Sequence, residues 1–144
     1  MSNVLELDQI KAEGSARTKE EAIREAADIL IGAGAVTAEY IDFMKAREVL
    51  TSTYMGNFLA IPHGTNEGKE TILESALSFV RYSTPLDWDG HEVRFVVGIA
   101  GKDGGHMEIL SKIAILFSET DDVQRLLDAP DRDALFAILS EVND

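Results

Sequence analysis

His63 is the first residue in the chain whose type and position suggest chemistry. The apolar run of residues 58–61 is typical of a buried strand, and Pro62 ends it because proline has no N–H for the strand ladder. We therefore predict that His63 stands at the mouth of a core strand. The backbone N–H groups of Gly64 and Thr65, with the Thr65 hydroxyl, are expected to face an anion bound at the ring.

His106 is placed in a similar way. It follows a predicted strand over residues 92–100 and a glycine-rich turn over 101–105, and it begins a helix. Ligand sites gather at the carboxyl ends of strands in α/β proteins, so both histidines would face one site if their strands are parallel neighbours. The helix N-terminus would keep the ring neutral and offer N–H groups to an anion. An ordinary structural histidine after a glycine-rich turn fits the same residues.

Arg47 and a run of hydroxyl side chains precede the histidine strand, and Thr53 belongs to that run. We predict that Arg47 and Thr53 lie near His63, although a solvated arginine and local turn bonds would also explain them. Together these groups suit phosphoryl transfer through a phosphohistidine. Neutral imidazole is a nucleophile, N–H and guanidinium donors bind phosphoryl oxygens, and the His106 ring would stabilise charge during transfer.

Other chemistries find weaker support in the sequence. The chain has neither the Gly-x-Ser-x-Gly turn of serine hydrolases nor the Gly-x-x-x-x-Gly-Lys-Ser/Thr loop of nucleotide kinases. Its three histidines lack metal-binding spacing, so we expect no metal and no cofactor. His91, in Trp-Asp-Gly-His-Glu, is predicted to be an exposed structural residue at a turn.

The composition limits the class of protein and its partners. A chain of 144 residues with 45% hydrophobic residues predicts one globular domain over residues 1–144. The absence of cysteine excludes disulfides and thiolate sites and fits a reducing cytoplasm. The net charge of −13 argues against nucleic acid and anionic lipid as partners and favours a basic protein surface, although solubility alone would explain most of it. No apolar stretch is long enough for membrane insertion, and the N-terminus does not resemble a signal peptide.

Helical and strand patterns alternate along the chain, which predicts an α/β layered domain. Thr18 and Glu21 have the spacing of a capping box at the start of the first helix, and Gly32 and Gly34 end it. Thr37 is predicted to cap the second helix, with Val49 facing inward. The predicted strands are residues 4–10, 58–61, 76–82 and 92–100, and the later helices are 106–117, 121–127 and 131–139.

The segment between the two long predicted strands is rich in turn-forming residues. Residues 84–90 are expected to form a connection, with Trp88 packed as a lid or rim. Residues 66–74 are expected to form a polar loop.

Several segments taken together resemble a known family. They are Lys19-Glu-Glu-Ala-Ile-Arg-Glu-Ala, Tyr40-Ile-Asp-Phe-Met with Arg47-Glu48, Ser52-Thr-Tyr-Met-Gly-Asn, Ala60-Ile-Pro-His-Gly-Thr65, and Gly98-Ile-Ala-Gly-Lys with His106-Met-Glu-Ile-Leu-Ser. In order and spacing they resemble the mannitol/fructose-type enzyme IIA proteins of the bacterial phosphoenolpyruvate-dependent sugar phosphotransferase system, and the mannitol-type branch most of all. The resemblance runs from about Val4 to near Glu119.

This resemblance implies a cytoplasmic phosphocarrier with a mixed, mostly parallel sheet between helical layers. His63 matches the histidine that accepts a phosphoryl group from the phosphocarrier protein HPr and passes it to a cysteine of enzyme IIB, which serves the membrane component IIC. The tele nitrogen, Nε2, is the expected acceptor, but the residues alone leave both ring nitrogens open. His106 matches the second active-centre histidine, and Arg47 the arginine near the phosphohistidine.

Two other functions stay open at this point. A regulatory, nitrogen-type enzyme IIA would use the same histidine but would signal by binding other proteins. A non-catalytic binding module would carry the histidine incidentally.

Overall fold

A computed structural model describes residues 4–102 and 106–140, without the side chains of Asn66 and His106. The strands are β1 Ile10–Lys11, β2 Tyr54–Gly56, β3 Leu59–Ala60, β4 Ala76–Trp88 and β5 His91–Ala100. The α-helices are α1 Lys19–Gly32, α2 Tyr40–Leu50, α3 His106–Phe117, α4 Thr120–Asp128 and α5 Arg132–Leu139. Two short 3-10 helices cover Leu7–Gln9 and Asn66–Thr71.

The five strands form one mixed sheet in the order β1-β4-β5-β3-β2. The β1–β4 and β3–β5 pairs are parallel, and the β4–β5 and β2–β3 pairs are antiparallel. The predicted α/β domain with a mixed sheet is therefore confirmed, and two of its four strand interfaces are parallel. The strand predicted over 92–100 is the central one, as its continuous apolar run indicates.

Helices cover both faces of the sheet because neighbouring residues of β4 and β5 point to opposite sides. Val80 and Val96 face α1 and α2, whereas Phe79 and Phe95 face α3, α4 and α5. Each face thus buries its own apolar cluster, and the carboxyl end of β5, with Ile99 on one face and Ala100 on the other, lies between two packed layers.

Local sequence signals set the ends of α1. The Thr18 hydroxyl accepts a hydrogen bond from the Glu21 N–H at 3.2 Å, as the capping spacing predicts. The Glu21 carboxylate accepts from the Arg17 N–H at 2.8 Å, one residue before the bond that a regular capping box would make. The helix ends at Gly32, and Gly34 takes a left-handed φ of 76° in the turn that follows.

Trp88 departs from its predicted role as a lid or rim, since its side chain is completely buried. Residues 84–88 continue β4 beyond an irregularity between Arg81 and Leu86, so the predicted connection is part of a strand. The irregularity accommodates Pro85, which cannot donate to a ladder. The chain turns at Asp89 and Gly90, which both have positive φ.

Other boundaries also differ from the prediction. Thr37 lies in a turn before α2, where its carbonyl accepts from the Tyr40 N–H at 3.1 Å. Val49 is 85% exposed, so it does not face inward. Within the edge strand predicted over residues 4–10, Leu7–Gln9 form a 3-10 helix and only Ile10 belongs to β1, whose two residues pair with β4. Within the described ranges, no helix combines the length and apolar character needed to cross a membrane.

Candidate active site

His63 lies where the chain leaves the sheet after β3. The Ile99 N–H donates to the Pro62 carbonyl at 3.0 Å, and His63 itself pairs with Ile99 of β5 as an isolated parallel bridge. Its side chain is half-buried. The packed sheet therefore fixes the backbone that carries the ring while leaving part of the ring accessible.

The His63 ring is held by its own strand. Its Nδ1 lies 2.8 Å from the Ile61 carbonyl oxygen. Because a carbonyl oxygen only accepts, Nδ1 carries the proton of this hydrogen bond. In the neutral ring the lone pair is then on Nε2, which gives that nitrogen the electron pair that a nucleophile needs.

Gly64 is held by a buried tyrosine. Its N–H donates to the Tyr40 hydroxyl at 2.8 Å, and that hydroxyl donates to the Ile99 carbonyl at 2.8 Å. Burial raises the pKa of Tyr40, and the hydrogen bond from Gly64 opposes the rise. We expected the Gly64 N–H to face an anion, but here it is bound within the fold.

Thr65 is the N-cap residue of the 3-10 helix Asn66–Thr71, but its half-buried side chain accepts no hydrogen bond from the backbone N–H groups of that helix. Hydrogen bonds from the Glu67 backbone N–H and from the Thr65 hydroxyl lower the pKa of the exposed Glu67 carboxyl. Thr65 is two residues after His63 in the chain, and its hydroxyl donates a hydrogen bond to the Glu67 carboxylate.

Thr53 contacts a buried carboxylate, that of Glu48. Its N–H and hydroxyl donate to the two Glu48 oxygens at 2.9 and 2.5 Å, and its carbonyl accepts from the Ile61 N–H at 3.0 Å. The donors that we predicted for a phosphoryl group are therefore used inside the fold. Thr53 instead links Glu48 to the strand that ends at His63.

Glu48 is the site-supporting residue that the sequence reading missed. It is 6% exposed, and it also accepts from the Trp88 indole at 3.1 Å and pairs with Lys19 at 3.4 Å. A signal was present, since Tyr40, Met44 and Glu48 follow each other at four-residue spacing on one helix face. The periodicity placed a carboxylate in the core, and we assigned the inward position to Val49.

Arg47 lies near the end of α2 with its side chain half-buried. Its guanidinium donates to the Thr51 carbonyl at 2.8 Å, which satisfies a carbonyl at the helix C-terminus. Arg47 therefore directly precedes Glu48 in the chain, and its guanidinium is bound to the Thr51 carbonyl.

The sheet supports a shared position for the two candidate histidines. β3 and β5 are parallel neighbours, as the prediction for His63 and His106 required. His63 is level with Ile99, and α3 begins at His106, six residues after the last residue of β5. The His106 side chain and residues 103–105, which include Gly104 and Gly105, lie outside the described part.

His91 occupies the opposite end of β5. It is exposed, and its ring stacks on that of Tyr54 with centroids 4.3 Å apart. The prediction of an exposed structural histidine is confirmed. Among residues 4–102 and 106–140, no three histidine, aspartate or glutamate side chains gather as a metal site would require.

Comparisons with known proteins agree with this fold. The family model described as "Phosphoenolpyruvate-dependent sugar phosphotransferase system, EIIA 2" matches residues 3–142. The mannitol-specific phosphotransferase enzyme IIA component of Halalkalibacterium halodurans is 50% identical over 141 residues, which span 98% of this chain and 97% of that protein.

Two solved structures from Escherichia coli are similar as well. The crystal structure of IIA mannitol has a TM-score of 0.86 at 32% identity, covering 94% of this chain and 98% of that one. Enzyme IIA in complex with phosphorylated mannitol enzyme IIB has a TM-score of 0.88 at 31% identity, covering 95% and 97%. The chain therefore belongs to the EIIA 2 family of the phosphoenolpyruvate-dependent sugar phosphotransferase system.

Proposed function

We propose that this chain is a cytoplasmic phosphocarrier of the sugar phosphotransferase system. His63 accepts a phosphoryl group from phospho-HPr and passes it to a cysteine of a mannitol-type enzyme IIB, which serves the membrane component IIC. The transported substrate is mannitol or a related hexitol or fructose. The single observation that carries the proposal is the bond from His63 Nδ1 to the Ile61 carbonyl at the mouth of β3, which leaves Nε2 as the nucleophile.

The transfer balances without a net proton. The Nε2 lone pair attacks phosphorus while the donor atom of phospho-HPr leaves with the electron pair of its bond to phosphorus. The proton stays on Nδ1, and the Ile61 carbonyl stabilises the positive charge that the ring gains. A thiolate of enzyme IIB then attacks phosphorus, and the electron pair of the P–N bond returns to Nε2.

The other candidate residues have different roles in this proposal, from contact with the phosphoryl group to support of the strand. His106 lies near the phosphoryl group and steadies its charge. The Arg47 guanidinium gives up its hydrogen bond to the Thr51 carbonyl and donates to the phosphoryl oxygens instead. The Thr65 hydroxyl likewise gives up its hydrogen bond to Glu67 and donates to the phosphoryl oxygens. The Gly64 N–H donates to the phosphoryl oxygens only if it breaks its hydrogen bond to the Tyr40 hydroxyl. Thr53 does not bind the phosphoryl group and supports the His63 strand through its bonds to Glu48.

The comparisons favour the transport role over a regulatory, nitrogen-type role. The 50% identical relative is a mannitol-specific component, and a similar solved complex pairs a mannitol enzyme IIA with phosphorylated enzyme IIB. A transfer assay separates the two roles directly. Purified phosphorylated chain should lose its phosphoryl group when mannitol-type enzyme IIB is added, and a group that stays on the chain would favour regulation.

The primary test is intact mass after incubation with phosphoenolpyruvate, enzyme I and HPr. We expect one added phosphoryl group that acid removes and base does not. His63→Ala should accept none and should keep its fold, since the side chain is only half-buried. His91→Ala is the matched control, because that exposed ring is expected to leave acceptance unchanged. Phosphorylation of the His63→Ala protein would refute the proposal.

His106→Gln tests the second histidine. We expect HPr binding to persist while the single-turnover rates of transfer to and from His63 fall, because the charge-stabilising ring is lost. Rapid-quench measurements in both directions check this, and unchanged rates would assign His106 a structural role.

A further inference from the structure

The Tyr40 hydroxyl occupies the last rung of the sheet at the active histidine. In a parallel ladder, the His63–Ile99 pair would be closed by two bonds, from the Ile99 N–H to the Pro62 carbonyl and from the Gly64 N–H to the Ile99 carbonyl. The first bond is made at 3.0 Å. At the position of the second bond, the Tyr40 hydroxyl lies between the two backbone groups. It accepts a hydrogen bond from the Gly64 N–H and donates one to the Ile99 carbonyl, each at 2.8 Å.

The packing around this hydroxyl explains the residue that follows His63. The Tyr40 side chain is 2% exposed, and a Cβ on residue 64 would lie 2.5 Å from its Cε1. Only glycine brings the backbone this close to the ring without displacing it. Gly64 is therefore required by its packing against the Tyr40 ring.

The hydroxyl and the β5 backbone together hold both neighbours of His63. Pro62 is fixed through its carbonyl by Ile99, and Gly64 is fixed through its N–H by Tyr40. We propose that Tyr40 is a positioning residue for phosphoryl transfer, whose hydroxyl sets the backbone direction from which the His63 ring projects. This inference rests on the proposed function of His63. In this role the Tyr40 hydroxyl acts through the backbone beside His63 and contacts no reacting atom.

The test compares Tyr40→Phe with Tyr82→Phe. Both tyrosines are buried in the same apolar cluster, and each substitution removes one hydroxyl, which bonds to Gly64 and Ile99 at Tyr40 and to Glu25 at Tyr82. The Tyr82 hydroxyl bonds to Glu25, away from His63, so Tyr82→Phe reports the general effect of removing a buried hydroxyl. Urea unfolding should show that both variants fold and that both lose stability.

Single-turnover transfer from saturating phospho-HPr is the functional readout. We expect Tyr40→Phe to slow the transfer about ten- to a hundredfold with little change in half-saturating HPr concentration, because the ring is misplaced rather than the partner surface lost. Tyr82→Phe should transfer at the wild-type rate. A wild-type rate for Tyr40→Phe, or an equal loss in both variants, would overturn the inference.

Two measurements on unphosphorylated protein keep the inference testable by itself. In 15N NMR, the His63 ring of the wild-type chain should be protonated at Nδ1, and Tyr40→Phe should shift that signal while Tyr82→Phe does not. If Tyr40→Phe fails to fold, hydrogen exchange on the wild-type chain tests whether the Gly64 N–H is held. We expect the Gly64 amide to be protected about as well as that of Ile99. Rapid Gly64 exchange or an unmoved His63 signal would refute the role of Tyr40. A wild-type chain that accepts no phosphoryl group would refute the proposed function alone.

Discussion

Removing the Glu48 carboxylate should destabilise the protein severely, because Glu48 holds Thr53 and Trp88 in the core. Glu48→Ala leaves three buried donors without acceptors, namely the N–H and hydroxyl of Thr53 and the indole N–H of Trp88. Each buried donor left unsatisfied costs about 1–3 kcal/mol. The Lys19 ammonium keeps Asp89 as a partner at 2.8 Å, and that partner is half-exposed, so its contribution is small.

The expected loss in the free energy of unfolding is about 3–5 kcal/mol, the range found when one member of a buried charged network is removed. It lies at the lower end of the sum for the three donors, about 3–9 kcal/mol, because the Thr53 hydroxyl can rotate toward another acceptor. A loss of this size is a large share of the roughly 5–15 kcal/mol that holds a domain folded.

Urea unfolding followed by far-UV circular dichroism measures the loss. Fluorescence of Trp88, the only tryptophan, is a second probe that reports on the Glu48 network itself. The dependence of the free energy on urea should be unchanged, since the surface exposed on unfolding is nearly the same. A Glu48→Ala protein within about 1 kcal/mol of wild type would refute the reasoning.

Two variants complete the comparison. Glu92→Ala removes an exposed carboxylate that pairs with Arg94 at 2.9 Å, and it should change stability by at most about 0.5 kcal/mol. Glu48→Gln keeps one acceptor oxygen but turns an NH₂ group toward a donor. Its loss should fall between those of the two alanine variants.

Two further predictions concern a packed glycine and a half-buried acid. Gly64→Ala should lower the free energy of unfolding by about 1–3 kcal/mol in urea, because its Cβ would lie 2.5 Å from the Tyr40 ring; Gly32→Ala, which has open space around it, should cause no loss. Burial favours a higher pKa for Glu25, but hydrogen bonds led by that from Lys11 outweigh burial and lower its pKa to about 2. Because this lies below the ordinary value of 4.5, the stabilisation is complete above about pH 4.5 and is lost as the pH falls through 2. Glu25→Gln should therefore flatten the fall in stability between pH 5 and 2, and an unchanged slope would contradict the assignment.

Features that depend on neighbouring residues were predictable from the sequence. The Thr18 cap, the end of α1 at Gly32 and the central strand through Val96 follow from short-range spacing and apolar periodicity. Asp131 likewise caps α5 by accepting from the Ala134 N–H, close to the predicted start. These signals fixed the order of the elements and brought His63 to the mouth of a strand.

Features that depend on distant partners were not predictable in this way. Trp88 is buried because β4 continues past an irregularity and its indole meets a carboxylate 40 residues earlier. The Gly64 N–H is bound by Tyr40, 24 residues away, so local pattern alone pointed it at a ligand. Periodicity marks a position as inward, and only the assembled fold decides which donors a residue such as Glu48 finds there.

The lengths of the strands have a consequence for how this protein meets others. The two outer strands, β1 and β2, have two and three residues, whereas the inner strands β4 and β5 have 13 and 10. Very short edges offer few unpaired backbone groups, so they give another chain little template for strand addition. The long apolar strands β4 and β5 are not the outer strands of the sheet, where edge-to-edge association begins. The carrier role that we propose requires encounters with different proteins, and these can recognise its side chains and loops and leave without having paired with its sheet.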